Sequence, residues 1–279
     1  MSGDITVSVE NVTPVMATEL LKASRGNFRP IDRSRVMKYA TEMTHGKWDF
    51  NGETIKLNGN MIVDGQHRLS AIARSGVTIK CIVIRNLDQS AGRTIDSGKP
   101  RRVSDWVRFK GKKNARSITA IARNVMSHKH GRWGCQSVMA GLITDSEIID
   151  YIEANGEILQ DAHIMANNNK ILVESILGAV MVIAADGFLP STNPMCKWFC
   201  DAIKTGIGLS ENDPVLLLRN KFADVTALRK ESPFMQKMLL TVAWNKTAKG
   251  ESVKILKFAL TGPAASKPLN TIELAPYAQ

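Results

Sequence analysis

The chain has 279 residues, of which 44% are hydrophobic, so it can bury the core of one large domain or two modest ones, and wholesale disorder is excluded. No apolar run reaches the roughly 18 residues that a membrane-spanning helix needs, and the first residues lack the basic-then-apolar order of a signal peptide, so we expect no membrane association. The net charge is +11, and residues 99–132 contribute +10 of it, with 11 lysines and arginines against one acid, Asp105.

Short strands and helices are predicted to alternate up to about residue 98. Apolar residues at helical spacing predict a helix over residues 33–45, with Asp32 as its N-cap and Gly46 after its end. Asn58-Gly59 predicts a hairpin turn. The predicted strands cover residues 5–9, 53–57, 61–63 and 78–84, and two further helices cover 14–23 and 67–75. We therefore predict an α+β fold in which helices interrupt a small mixed sheet.

The pattern becomes helical after residue 98. The apolar stretch over residues 173–185 is long enough to predict a buried helix rather than a strand. The other predicted helices cover residues 103–109, 115–130, 194–205, 214–228 and 234–246, and an extended, proline-rich tail follows Gly262. Residues 144–147 resemble a capping start for one more helix, which continues through Ile152. We therefore predict two domains, residues 1–98 and an all-α domain over residues 99–279 that begins with a basic helical hairpin.

The basic segment, residues 99–132, predicts contact with a polyanion, nucleic acid first of all. Lysines and arginines dominate it, so we expect contact with the phosphate backbone rather than base readout. The two helices either resemble a helix-turn-helix or form a linker hairpin whose polar face is simply basic. Trp106 can stack on a base, although a tryptophan on such a helix more often packs in the core. The predicted nucleic-acid contacts are Lys99, Arg101, Arg102, Arg108, Lys110, Lys112, Lys113 and Arg116.

The segment Asp64-Gly65-Gln66-His67-Arg68, called the DGQHR turn below, joins a predicted strand to a predicted helix. The helix N-terminus offers unpaired N–H groups, and Gly65 lets a phosphate approach the backbone. Arg68, expected on the polar side of its helix where the core does not need it, can hold a phosphate by two hydrogen bonds, and His67 can donate to it or shuttle a proton. Asp64 suits an Mg²⁺ ligand or a base. The alternative is a connection whose polar residues cap one another.

The DGQHR turn resembles the diagnostic box of the ParB/sulfiredoxin superfamily, whose members close a strand with a glycine turn that grips nucleotide phosphates. It is a near-literal match to the subgroup named after these letters, and it is similar to the Asp-Gly-His-His-Arg box of ParB-like free serine kinases. Arg29 after a short loop and Gly46 before the strand follow the family's order, and the resemblance covers roughly residues 5–86. The join near residues 95–102 resembles that of phage-encoded members with a helical C-terminal region.

By position, this resemblance implies a sulfiredoxin-like fold that binds ATP or another NTP. It implies that Asp64, His67 and Glu53 are catalytic and that Asp64 holds Mg²⁺. Because Gln66 stands where sulfiredoxins have a cysteine, peroxiredoxin repair is not expected. The chain also lacks the Gly-Glu-Arg-Arg form of chromosome-partitioning ParB proteins, which argues against a CTP clamp. The implied phosphate ligands are Gly65, Gln66, His67, Arg68 and Arg29.

These features predict a nucleotide-binding protein that hydrolyses NTP or transfers a phosphoryl group on or near DNA, encoded by a phage or mobile element. The alternatives are a non-catalytic DNA-binding regulator and a metal-dependent ParB-like nuclease. The sequence leaves open whether the protein is an enzyme and whether it forms a homodimer.

Four cysteines without framework spacing favour a reducing setting, the cytoplasm of a bacterial host cell. A zinc site from His128, His130 and Cys135, or from Cys196 and Cys200, is weighed against buried structural cysteines, which are more common.

Overall fold

The computed structural model describes residues 4–24, 30–93, 95, 101–133, 143–167, 169, 171–223, 231–258 and 272–275. These residues form four strands and eleven α-helices, which confirms the α+β class. They fall into two compact units. The first contains the described residues up to 95 together with 143–146, and the second contains the other described residues from 101 onward. The first unit thus includes a segment that the sequence boundary had assigned to the second domain.

The first unit contains a four-stranded mixed sheet in the order β1-β4-β2-β3. Strand β4 pairs antiparallel with β1 and parallel with β2, while β2 and β3 form an antiparallel hairpin. The hairpin predicted from Asn58-Gly59 is confirmed, with Gly59 at a φ of 55°. The strands are β1 (Thr6–Val12), β2 (Thr54–Asn58), β3 (Met61–Asp64) and β4 (Ile79–Arg85).

Three helices complete the first unit: α1 (Pro14–Ala23), α2 (Arg33–Thr44) and α3 (Gln66–Ser75). Helix α3 packs against both of the others and buries Leu69 and Ile72 completely. The predicted cap of α2 is confirmed, since the Asp32 carboxylate accepts hydrogen bonds from the backbone N–H groups of the first turn.

Helices make up the second unit within its described residues, and most follow the predicted bounds. Helix α8 lies at the centre, is buried along most of its length and packs against α5 and α7. The apolar periodicity did not predict α7. Small residues and His163 occupy most of the buried face of this helix, where large apolar residues would have given a clear pattern. The helices are α4 (Val103–Phe109), α5 (Ala115–Lys129), α6 (Asp145–Ala154, whose first two residues belong to the first unit), α7 (Gly156–Asn167), α8 (Glu174–Ala184), α9 (Pro194–Thr205), α10 (Pro214–Phe222) and α11 (Pro233–Ala248).

Large aromatic side chains fill the core of the second unit. Phe199 meets Trp244 edge to face at a centroid distance of 4.9 Å, and Trp244 Nε1 donates to the carbonyl of Glu273 at 2.7 Å. Trp133 is also fully buried, and its Nε1 donates to Thr241 Oγ1 at 2.7 Å. Among the described residues, no helix has the length and apolar character needed to cross a membrane. The predicted tail after Gly262 and the end of the helix predicted over 214–228 lie mostly outside the described residues.

Candidate functional site

The DGQHR turn connects β3 to α3, as the sequence predicted. Strand β3 ends at Asp64, Gly65 turns the chain with a φ of 98°, and α3 begins at Gln66. A Cβ at Gly65 would also lie 3.2 Å from the Cα of Ile55. Glycine is therefore required here by both the left-handed conformation and the close approach of β2.

Asp64 is held by two cations. Its Oδ2 lies 2.6 Å from Lys56 Nζ and 3.3 Å from an Arg68 guanidinium nitrogen, and its Oδ1 accepts the Gly65 N–H at 2.6 Å. Burial raises the pKa of this carboxyl, but the Lys56 hydrogen bond, the two positive charges and the Gly65 N–H together lower the pKa below its ordinary value. Asp64 is thus ionised at neutral pH and already neutralised within its own turn.

Arg68 is bound to the framework of the first unit. Its side chain is only 14% exposed. It pairs with Glu53 at 2.7 Å and donates to the backbone carbonyl of Thr54 as well as to Asp64. The sequence pattern placed Arg68 on a polar face that the core does not need, whereas the long side chain reaches back to the start of β2 and is largely buried there.

His67 connects α3 to the start of α2. Its Nε2 accepts a hydrogen bond of 3.0 Å from the backbone N–H of Asp32, the residue that caps α2. An accepting Nε2 carries no proton, so in this arrangement that nitrogen cannot donate to a phosphate. Arg29, the remaining predicted phosphate ligand, lies outside the described residues.

The turn as a whole is electrically balanced. Two cations, Lys56 and Arg68, are paired with two carboxylates, Asp64 and Glu53. Of these four residues, Lys56 was not predicted from the sequence. A β-bulge beside Lys56 shifts the register of the hairpin, so that Lys56 opposes Asp64. Regular pairing from the turn would have placed Val63 there, and this shift explains why the sequence could not reveal the pair.

An Mg²⁺ ion bound to Asp64 would lie beside the positive charges of Lys56 and Arg68, which repel it, so the present arrangement does not fit the predicted metal ligand. The turn does offer other binding groups. The backbone N–H groups of Gln66 and Arg68 donate to no acceptor within the described part of the chain, and Gly65 provides no side-chain cap. These two donors at a helix N-terminus could still bind an anion.

The predicted nucleic-acid contacts lie on α4, on α5 and between them. Of these residues, Arg101, Arg102, Arg108, Lys110, Lys113 and Arg116 are exposed, and we call them the basic surface. Lys112 is half-buried, with its ammonium beside Gly156, and Lys99 lies outside the described residues.

Most cations of the basic surface form no ion pair with the described residues. Arg108 lies 3.8 Å from Asp105, and Lys110 lies 3.7 Å from Glu153. The other four cations form no ion pair within the described part of the chain: Arg101, Arg102, Lys113 and Arg116. An uncompensated cluster of this kind attracts phosphates at long range.

Two aromatic rings lie within the basic surface. Trp106 is 43% exposed and Phe109 is 78% exposed, and their ring centroids are 5.6 Å apart. The ammonium of Lys110 lies 5.3 Å from the Trp106 ring centre. Core packing, the commoner role of such a tryptophan, does not apply to Trp106, whereas Trp48 packs against Tyr39 and the core of the first unit.

Among the residues that the structure describes, the other candidates do not assemble into a metal site. Cys81, Cys196 and Cys200 are buried free thiols, and burial raises the pKa of Cys196 to about 12. Within the described ranges, no three His, Cys, Asp or Glu side chains are arranged to hold a metal ion, and Cys135 lies outside them.

A cleft that the sequence did not predict lies in the second unit. Its volume is about 550 Å³, and it combines an apolar floor with three lysines. The segment Lys254–Phe258 contains two of these lysines and three of the apolar residues, but it shows no periodic pattern that would have predicted a cleft. The lining residues are Leu217, Lys221, Met235, Leu239, Lys254, Ile255, Leu256, Lys257 and Phe258.

Comparison of the chain with models of protein families, with curated proteins and with solved structures found no match.

Proposed function

We propose that this protein binds nucleic acid through the basic surface of α4 and α5. The observation that carries the proposal is the set of four exposed cations, Arg101, Arg102, Lys113 and Arg116, which have no acidic partner within the described part of the chain. Such cations gain most from phosphate contacts, because each contact releases counterions from the nucleic acid. DNA is the polyanion expected from the resemblance to phage-encoded ParB-like proteins.

The role of the first unit in this proposal is that of a ParB/sulfiredoxin-like scaffold, as in the non-catalytic regulator. Support comes from the balanced charge of the DGQHR turn, in which Lys56 and Arg68 are paired with Asp64 and Glu53. Residues that stabilise one another in this way are not free to act on a substrate unless these pairs first open.

Measuring DNA affinity across several salt concentrations tests the proposal. For Lys113→Ala/Arg116→Ala we expect weaker binding to every DNA sequence and a plot of log affinity against log salt that is shallower by roughly 2, about 0.9 for each lost phosphate contact. The matched control is Lys197→Ala/Lys204→Ala, which removes two exposed cations of α9 and changes the net charge equally. Equal slopes in both double variants would reject the basic surface as the contact.

A second candidate function is binding of NTP phosphates at the DGQHR turn, the activity that the family resemblance implies. The specific support is the pair of backbone N–H groups of Gln66 and Arg68 at the start of α3, which have no acceptor within the described part of the chain. Lys56 would add a cation next to them. In this function the nucleotide would be ATP or another NTP, hydrolysed or used for phosphoryl transfer near DNA.

Thermal shifts with ATP, CTP and GTP, with and without Mg²⁺, test this second function, since a ligand that binds only the folded state raises the melting temperature. We expect Lys56→Ala to reduce the shift and Lys80→Ala, an exposed lysine of β4, to leave it unchanged. Asp64→Asn, which removes a negative charge beside the phosphates, should bind nucleotide without Mg²⁺ at least as tightly.

Loss of Mg²⁺-stimulated phosphate release in Asp64→Asn would support the catalytic role of Asp64, despite its poor fit as a metal ligand. Full activity in that variant would reject the role. DNA nicking that depends on Mg²⁺ would favour the nuclease alternative. The absence of any nucleotide-induced shift in the wild-type protein would reject the second function and leave the first intact.

A further inference from the structure

Helix α4 presents aromatic rings to solvent where a soluble helix would ordinarily bury them. Val103 and Val107 fill the inward face of α4, so the helix is anchored without its aromatic residues. Trp106 and Phe109, three positions apart, lie on the outward side and are neighbours on the helix surface. Because α4 has a buried face of its own, the absence of such a face does not explain why the two rings are exposed.

The two rings form an aromatic pair. Their centroids are 5.6 Å apart and their planes are tilted by 33°, so two exposed π-systems lie next to each other on α4. Lys110 covers part of Trp106 from 5.3 Å. Nucleobases on a phosphate backbone match this combination of aromatic rings and a cation, because they are flat and have negative charge close by.

The surroundings of the pair select against an apolar protein partner. Residues 101–116 hold seven lysines and arginines and a single acid, Asp105. Burying this surface in a dry protein interface would desolvate several unpaired cations at high cost. A nucleic acid supplies both a π-face for the rings and a phosphate for the cations at each step along the strand.

We propose that Trp106 and Phe109 stack on unpaired bases of a single-stranded nucleic acid while Arg101, Lys113 and Arg116 contact its phosphates. This inference rests on the proposed nucleic-acid binding and specifies the form of the nucleic acid. Bases in an intact duplex are already stacked and cannot reach an aromatic pair on a protein surface. The protein therefore prefers single strands to duplex, although its cations attract both.

Fluorescence anisotropy with a labelled oligothymidylate of roughly 20 nucleotides tests the inference, with the matching RNA and a duplex of equal length as further probes. We expect Trp106→Ala and Phe109→Ala each to weaken binding of the single strand about tenfold, the order of one lost stacked base, and to change duplex binding much less. Trp106→Phe should retain most of the affinity. The matched control is Trp198→Ala, since Trp198 of α9 is similarly exposed at 45%.

The outcomes separate this inference from the proposed function. Wild-type protein that binds neither single strand nor duplex would overturn both. Binding that Lys113→Ala/Arg116→Ala weakens, but that Trp106→Ala and Phe109→Ala leave unchanged, would keep the phosphate contacts and overturn the stacking. An equal loss for single strand and duplex in the two aromatic variants would also overturn it. DNA and RNA probes then decide which single strand is preferred.

Discussion

At the scale of single residues, the DGQHR turn shows how a sequence motif can serve the fold. Its glycine sets the conformation, its histidine accepts from the cap of α2, and its two charged ends bind each other and β2. Each of these contacts stabilises the turn before any ligand is considered. Variants of the turn therefore report on stability as well as on function, and both must be measured.

Replacing Arg68 with alanine should destabilise the protein. The change removes the bonds to Glu53, Asp64 and the Thr54 carbonyl from a side chain that is 14% exposed. We expect a loss of about 2 kcal/mol or more in the free energy of unfolding, measured by urea denaturation. The stability of Arg68→Lys should lie between those of the wild type and Arg68→Ala, because the lysine ammonium keeps the positive charge but not the forked geometry of the guanidinium. An unchanged midpoint in Arg68→Ala would contradict the structural role.

Asp64 should stabilise the protein in a pH-dependent way. Because its pKa is lower in the folded state than the ordinary value of 3.8, its contribution is complete above that value and is lost as the pH falls through the folded pKa. Asp64→Asn should therefore be less stable than wild type at pH 7, by about 1–2 kcal/mol, with a difference that shrinks below pH 3.8. Asp49→Asn, at an exposed position, serves as the control. A difference that does not change with pH would exclude the ion pairs as its cause.

At the scale of elements, close packing between helices decides the second unit. A Cβ at Gly178 of α8 would lie 2.8 Å from Cδ1 of Ile121 on α5, and Ile121 is fully buried. Any residue larger than glycine at this position would force the Ile121 side chain or the two helices to shift. The requirement is invisible in the apolar pattern of α8, because it depends on which helix lies opposite.

We expect Gly178→Ala to lower the free energy of unfolding by about 1 kcal/mol. Overpacking costs about 1–3 kcal/mol and outweighs the gain of about 1 kcal/mol from the better helix former. Ile121→Val removes the clashing methyl group, so the double variant should be more stable than the sum of the single changes predicts. Thermal or urea unfolding of the four proteins measures this coupling. Simple additivity would show that the two side chains do not compete for the same space.

At the scale of the whole molecule, the chain returns to its first unit late in the sequence. Ser146 donates its backbone N–H to the Glu42 carboxylate at 3.3 Å, and Asp145 pairs with Lys38. These contacts join segments about a hundred residues apart, which a division of the sequence at one boundary does not anticipate. They also leave Glu42 buried, with its Oε2 atom unbonded within the described residues.

Glu42 should make the protein less stable as the pH rises. Burial raises the pKa of its carboxyl above the ordinary 4.5, so its stabilising contribution is present below that pH and is lost as the pH rises through the folded pKa. Glu42→Gln should thus be more stable than wild type at pH 7, on the order of 1 kcal/mol, and the gain should vanish below pH 4.5. Denaturant unfolding of both proteins at several pH values measures this difference in stability, and Glu19→Gln, at an exposed position, is the control. Equal stability at all pH values would contradict the burial of the charge.

The sequence by itself determined the local elements. Caps, glycine stops and apolar periodicity predicted the α+β class, the hairpin at Asn58-Gly59 and the bounds of helices such as Val103–Phe109. These features follow from residues within a few positions of one another, where backbone sterics and side-chain spacing act directly. The concentration of charge in residues 99–132 could be counted in the same way.

Only the tertiary structure decided what those residues contact. The β-bulge that sets Lys56 opposite Asp64, the inward course of Arg68 and the outward course of Trp106 depend on neighbours distant in sequence. A periodic pattern indicates which face of a helix is polar, but not whether a long side chain on that face bends back to a carbonyl or stays in solvent. The partners that satisfy its charge come from other elements, and folding alone brings them together.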